Sequence, residues 1–310
     1  MLAVGVIAFA FIVNKFGSRS VGALSLVMAF LKIGGIALFG IAALWAGGFT
    51  FTSETEASFD GDAVGFVASV AFAILAFKGF TTITNSGGEI VDPHRNVGRT
   101  IMISIAICVV VYLLVAFAVG SSLTIDEIIA AKDYSLAEAA APVLGQTGFY
   151  FTVVLAAVAT ASGVLASVFA VSRMLTMLTD MEMIPHRHFG MSGPVQSHML
   201  VYTVVLASIL AVFFDLSRIA SLGAFFYLVM DMIVHWGVWR FMRHEIKANG
   251  LVVLTALVLD AVVFAAFTTM KLRSDPAIVA IAVMSIITVF VLQRIYLSRW
   301  TAPAHEDAHA

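Results

Sequence analysis

The sequence predicts an all-α, polytopic membrane protein, and three observations predict it. Of 310 residues, 61% are hydrophobic and 12% charged, with a mean hydropathy of +1.03. A water-facing domain carries roughly 25% charged residues, so this chain cannot cover a hydrated surface. Its apolar residues gather into repeated runs of about 20, the length of helix that crosses ~30 Å of hydrocarbon. The runs are continuously apolar instead of alternating, which argues against a β-barrel.

About nine transmembrane helices are expected, in order. Segment 1–13 is apolar but only about 20 Å long at ~1.5 Å per residue. Segment 22–46 follows Asn14 and Gly17 and carries Lys32, Gly34 and Gly35. The loop 47–63 is acidic, with Glu54, Glu56, Asp60 and Asp62 and no basic residue. Segment 64–84 starts as an apolar helix, then places Lys78 and Gly79 at its centre and Thr81, Thr82, Thr84 and Asn85 after them. Segment 100–119 holds Cys108, the only cysteine, so no disulfide forms within the chain. The stretch Ile125 to Leu144 reads as a short surface helix ended by Gly145. Segment 149–179 is long enough to tilt or to extend past the lipid. Segments 199–214, 219–242, 250–270 and 277–297 complete the set, ahead of a tail at 298–310.

Basic residues orient these segments, because cytoplasmic connections concentrate lysine and arginine. One set of connections holds eleven: Lys15, Arg19, Arg95, Arg99, Arg173, Arg187, Arg240, Arg243, Lys247, Arg294 and Arg299. The alternate set holds four: Lys132, Arg218, Lys271 and Arg273. The first set is therefore expected inside, with the C-terminus cytoplasmic and the protein in the cell membrane. Nine crossings then put the N-terminus outside. Together with the short first segment, this leads to the expectation that the chain begins partway through a helix.

Several function classes are excluded. A net charge of -2 with no basic patch gives no support to nucleic-acid binding. There is no phosphate-binding loop for nucleotide-driven pumping and no nucleophile elbow, so neither an enzyme nor a cofactor is expected. His186 and His188 have the spacing of ligands but lie in a loop without carboxylate or thiolate neighbours, and read as solvated. Nothing in the sequence fixes an oligomeric state.

The informative residues are charges inside the apolar segments, which are costly in lipid and point to function. Lys78 lies about 16 Å of helix from the loop near Glu89, beyond the reach of a snorkelling side chain. Lys32 and Lys78 must each face protein, water or a ligand, either as a structural ammonium or as a working one. Asp231 and His235 sit one turn apart on one face and read as a packing or interface pair. Asp260 has no polar neighbour in sequence and reads as structural. Gly79, beside a buried charge and a polar tail, favours a helix break near 76–79; broken helices at mid-membrane bind ions and charged substrates through backbone groups.

These residues resemble a known family, the amino acid permeases of the amino acid–polyamine–organocation superfamily, which have the leucine-transporter fold. The strongest match is the stretch 75–101, with Ala76, Phe77, Lys78, Gly79 and Phe80, then Asn85, Glu89, Pro93, Arg95 and Asn96 in register with a helix-and-loop motif of the family. A second is 167–185, and a third is Lys32 in the helix after Asn14 and Gly17. The resemblance covers essentially the whole chain as helices four to twelve of twelve. It implies a single membrane domain over 1–310, with 1–46 from a first inverted repeat, 64–242 as a second repeat of five helices, and 250–297 as two C-terminal helices.

The resemblance also implies a secondary transporter of amino acids or related amines, working by alternating access in the lipid bilayer and coupled to protons. Leu75, Ala76 and Lys78 would offer backbone carbonyls to a substrate ammonium beside Gly79, and Phe77 and Phe80 would line or gate the site. Lys32 would occupy the place of a sodium ion and bridge to hydroxyls such as Ser162 or Ser167. Two departures stand out: Thr81 where the family often has an acid, and Leu75 where it often has an aromatic residue. Lys78 beside a bound ammonium is repulsive, so it either pairs with a substrate carboxylate or points into the protein. Two alternatives remain beside the carrier, a non-transporting scaffold that keeps part of the fold and a sodium-coupled relative. An ammonium at Lys32 disfavours the latter.

Overall fold

The computed structural model describes residues 2–46, 63–79, 83–84, 90–185 and 193–300. Within them the helices are α1 (Leu2–Lys15), α2 (Ser18–Ala46), α3 (Ala63–Phe77), α4 (Pro93–Ser122), α5 (Ile125–Ala131), α6 (Ser135–Asp180), α7 (Val195–Phe213), α8 (Leu216–Gly237), α9 (Gly250–Ser274) and α10 (Pro276–Trp300). No strand occurs among the described residues. Seven helices are long and apolar enough to span a bilayer, and α1 and α3 are shorter apolar helices. Nine of the ten helices thus match the nine apolar segments, and α5 is the short connecting helix.

Local chemistry sets the boundaries. Pro93 opens α4, where its missing N–H costs nothing, and Asn96 Nδ2 folds back to donate to the Val91 carbonyl at 2.6 Å. Part of the loop motif read from the sequence is therefore a helix-start device. Thr124 and Glu127 form a reciprocal cap on α5: Thr124 N–H donates to Glu127 at 2.8 Å, and Glu127 N–H donates to the Thr124 hydroxyl. The expected surface helix over Ile125 to Leu144 comes in two pieces, because α5 ends at Ala131 and a 3₁₀ turn at Lys132–Tyr134 leads into α6. Gly145 breaks α6 with φ 63° and ψ −160°, a conformation that glycine adopts without steric cost. Asp215 and Asn249 cap α8 and α9 through the backbone N–H groups of Arg218 and Leu251. A π-helical turn, Val238–Met242, extends α8.

The chain divides into two compact units. One holds α1, α2, α4, α5, α6 through Thr176 and α7 through Ile209; the other holds α3 through Lys78, the ends of α6 and α7, and α8 to α10. The first unit has two buried clusters, one around Ala10, Val21, Leu165, Val168 and Leu200, the other around Phe39, Ala43, Ala118, Ala139 and Ala140. Alanine dominates the second cluster, as expected where backbones approach closely in lipid. A Cβ at Gly40 would lie 2.5 Å from Leu114 Cγ, and one at Gly35 2.6 Å from Leu155 Cδ1. Gly35 therefore serves packing, and α2 runs unbroken past it. The second unit is centred on Leu228, Phe225, Phe267 and Ile278, with Phe72 edge-on to Phe267 at 5.3 Å. Large apolar side chains such as Phe30, Met102, Val154, Leu251 and Met284 are exposed, a surface suited to acyl chains and not to water.

Candidate functional site

In the second unit, α3 stops at Phe77, inside what the sequence presents as one apolar segment. The Lys78 N–H turns back to the Leu75 carbonyl at 3.1 Å. Gly79 follows with φ 144°, a backbone that a side chain would strain. A helix thus ends in mid-segment, with its negative dipole end formed by the residues Leu75 to Lys78. The Leu75 side chain lies against α8, where a Cβ on Gly223 would meet it at 3.4 Å. Phe80, Asn85 and Glu89 lie outside the described residues, as do His186 and His188.

Lys78 points into the protein. Its ammonium is paired with the Asp231 carboxylate on α8, and the two side chains are 5% and 19% exposed. The Tyr227 ring, one turn earlier on α8, lies 5.2 Å from the ammonium, close enough for a cation–π contact. One turn further along α8, His235 Nδ1 is hydrogen-bonded to Asp260 Oδ2 of α9 at 2.8 Å. Asp231 and His235 share a face but do not pair with each other. Each takes a partner from a different helix, so α8 is tied to α3 on one side and to α9 on the other. Asp260, read from sequence as lacking polar company, has His235 as its partner. The missed signal was complementarity of charge: cations and carboxylates held in mid-segment must pair with one another or with water. Tyr227 gave no such signal.

The first unit builds a different arrangement. Lys32, half-buried on α2, donates from Nζ to Ser162 Oγ on α6 at 3.4 Å. Ser162 is buried, whereas Ser167, five residues on, is exposed. Helix α6 passes Gly163 without a break. Asn14 on α1 donates to the Ala10 carbonyl at 2.7 Å and to the Leu165 carbonyl of α6 at 3.4 Å. Nearby, a cavity of about 540 Å³ is lined by Asn14, Lys15, Ser172, Gln196 and His198. No group of three or more metal-ligating side chains occurs among the described residues.

Long apolar helices, with charged groups held within each unit and one helix ending in mid-segment, fit a multi-pass membrane protein. The chain belongs to the amino acid permease family, whose sequence profile matches residues 1–293. It is 24% identical over 298 residues to the inner membrane transport protein YbaT of Escherichia coli, an alignment covering 95% of this chain and 68% of that protein. It is 30% identical over 233 residues to an uncharacterized protein of Methanocaldococcus jannaschii, covering 74% of this chain and 53% of the relative. An uncharacterized transporter of Mycobacterium tuberculosis is 32% identical over 169 residues, 52% of this chain and 34% of its own length. The chain thus spans about two-thirds, half and a third of these three relatives.

Proposed function

We propose that the protein is a secondary carrier of amino acids or related amines in the cell membrane, not an enzyme. It works by alternating access with proton coupling. The observation that carries this reading is the end of α3 at Phe77, in the middle of an apolar segment and followed by Gly79 at φ 144°. A helix C-terminus at that place offers a negative dipole end to a substrate ammonium. Leu75, Ala76, Phe77 and Lys78 form that end, and Gly79 and Phe80 follow it in sequence. Family membership supports the same reading.

Lys32 is the proposed proton site. Lys32 stands half-buried in an apolar segment, and its ammonium is held by one hydroxyl, that of Ser162. Ser167 is assigned to the same relay from the family resemblance. Residues 64–242 are proposed as a five-helix repeat, followed by the helix pair at 250–297 and a cytoplasmic C-terminal tail. The test is uptake of radiolabelled alanine, glutamate and lysine into proteoliposomes holding the protein expressed from its native gene. An inward proton gradient should accelerate uptake, a sodium gradient should not, and Lys32→Ala should remove the response to pH. Failure to take up any amino acid or amine under either gradient would overturn the carrier.

A further inference from the structure

The geometry points to Asp231, acting through Lys78, as the residue that sets the charge specificity of the site at the end of α3. The favoured substrates are those whose side chain carries no net charge. This inference rests on the proposed carrier function and deepens it. Lys78 directly follows the last residue of α3, so a lysine ammonium stands beside the proposed binding position of a substrate ammonium. Alone, that cation would repel amines and attract acidic side chains. Asp231 cancels it: the two charges are in direct contact, and both side chains are largely withdrawn from water. Tyr227 covers the ammonium from the same helix. One turn further along α8, His235 is bonded to Asp260 of α9. Between the described side chains Lys78 and Asp231 the two charges cancel, so the lysine at the end of α3 is matched by a carboxylate. The charge of the site is decided by a residue 153 positions away in sequence.

The experiment measures binding of L-alanine, L-glutamate and L-lysine to the purified full chain in nanodiscs. Wild type should prefer alanine. Asp231→Asn uncovers the Lys78 cation and should move the preference toward glutamate by about tenfold relative to alanine. Lys78→Met uncovers the Asp231 carboxylate and should move it toward lysine by about as much, since one rejected or accepted charge is worth at least a decade. The double variant Lys78→Met with Asp231→Asn should return to the wild-type order. Single variants that keep the wild-type order, or that both shift the same way, would sink the inference. If a single variant does not fold, wild type still decides: a tenfold preference for glutamate or lysine over alanine contradicts a cancelled pair. If wild type binds none of the three, the carrier reading itself fails, and this inference fails with it.

Discussion

Each unit places a lysine within an apolar helical segment, and the two are partnered in opposite ways. In the second unit Lys78 meets a full countercharge, Asp231, and the pair is closed off by Tyr227. In the first, the partner that Lys32 meets among the described residues is a neutral hydroxyl, Ser162, at the long distance of 3.4 Å. Removing either partner of the closed pair strands the other charge in low dielectric. Removing Lys32 strands no charge, because Ser162 is neutral. The contrast separates a lysine locked in an ion pair from one held by a single neutral hydroxyl.

The strongest way to break this comparison is to remove one half of the closed pair. Lys78→Met leaves Asp231 buried without its countercharge and should cost roughly 3–5 kcal/mol of stability, the usual result of stranding a buried ion. Adding Asp231→Leu should recover most of that loss, and chemical denaturation of the two variants in detergent checks it. The opposite finding, a double variant as unstable as the single, would mean the pair is incidental to its helices.

A second test asks whether close packing, not charge, holds the first unit. Gly40→Ala drives a methyl to within 2.5 Å of Leu114 Cγ, a branch point and not the mobile end of its side chain. Overpacking of this kind should cost about 1–3 kcal/mol, read as a lowered Tm.

Lys32→Met should change stability less than either, by under about 1 kcal/mol, because one long hydrogen bond is lost while a partly desolvated charge is removed. A loss as large as that of Lys78→Met would erase the distinction between the two lysines.

The smallest effect belongs to an exposed pair. Arg218 Nε donates to Asp275 Oδ2 at 2.9 Å, and this bond holds the Asp275 carboxyl below the usual carboxylate range. A depressed folded value stabilises above the unfolded value of ~3.9 and is lost as pH falls through the folded one. Tm should therefore drop slightly below pH ~4, and Arg218→Gln should remove that part of the drop.

Much of this fold was legible because lipid imposes a simple rule: long continuous apolar runs become helices. Each of the nine runs builds a helix among the described residues, with boundaries shifted by capping residues such as Pro93, Thr124 and Asn249, which extend or divide helices beyond their apolar centres. The end of α3 was foreshadowed by Gly79 beside Lys78, since glycine and a buried charge together favour a break. The partners were not legible. Asp231 and His235 look like a pair on a helical wheel, yet each binds a different helix, because pairing in a bundle follows which helices become neighbours. Periodicity along one helix carries no record of that. Lys32 and Ser162 were brought together by the family resemblance, not by any local pattern.

The π-helical turn after α8 has its own consequence. Trp236 and Trp239 lie with ring centroids 5.5 Å apart, Arg243 sits over Trp239, and Arg240 sits over Phe241. Amphipathic aromatic and basic groups settle at the headgroup level of a bilayer, so this collar marks a waterline on the helix. From Trp239 back to Asp231 is about 12 Å of helix, close to half the ~30 Å hydrocarbon thickness. With the collar at that level, the Lys78–Asp231 pair sits about half the hydrocarbon thickness deeper, at the middle of an apolar bilayer.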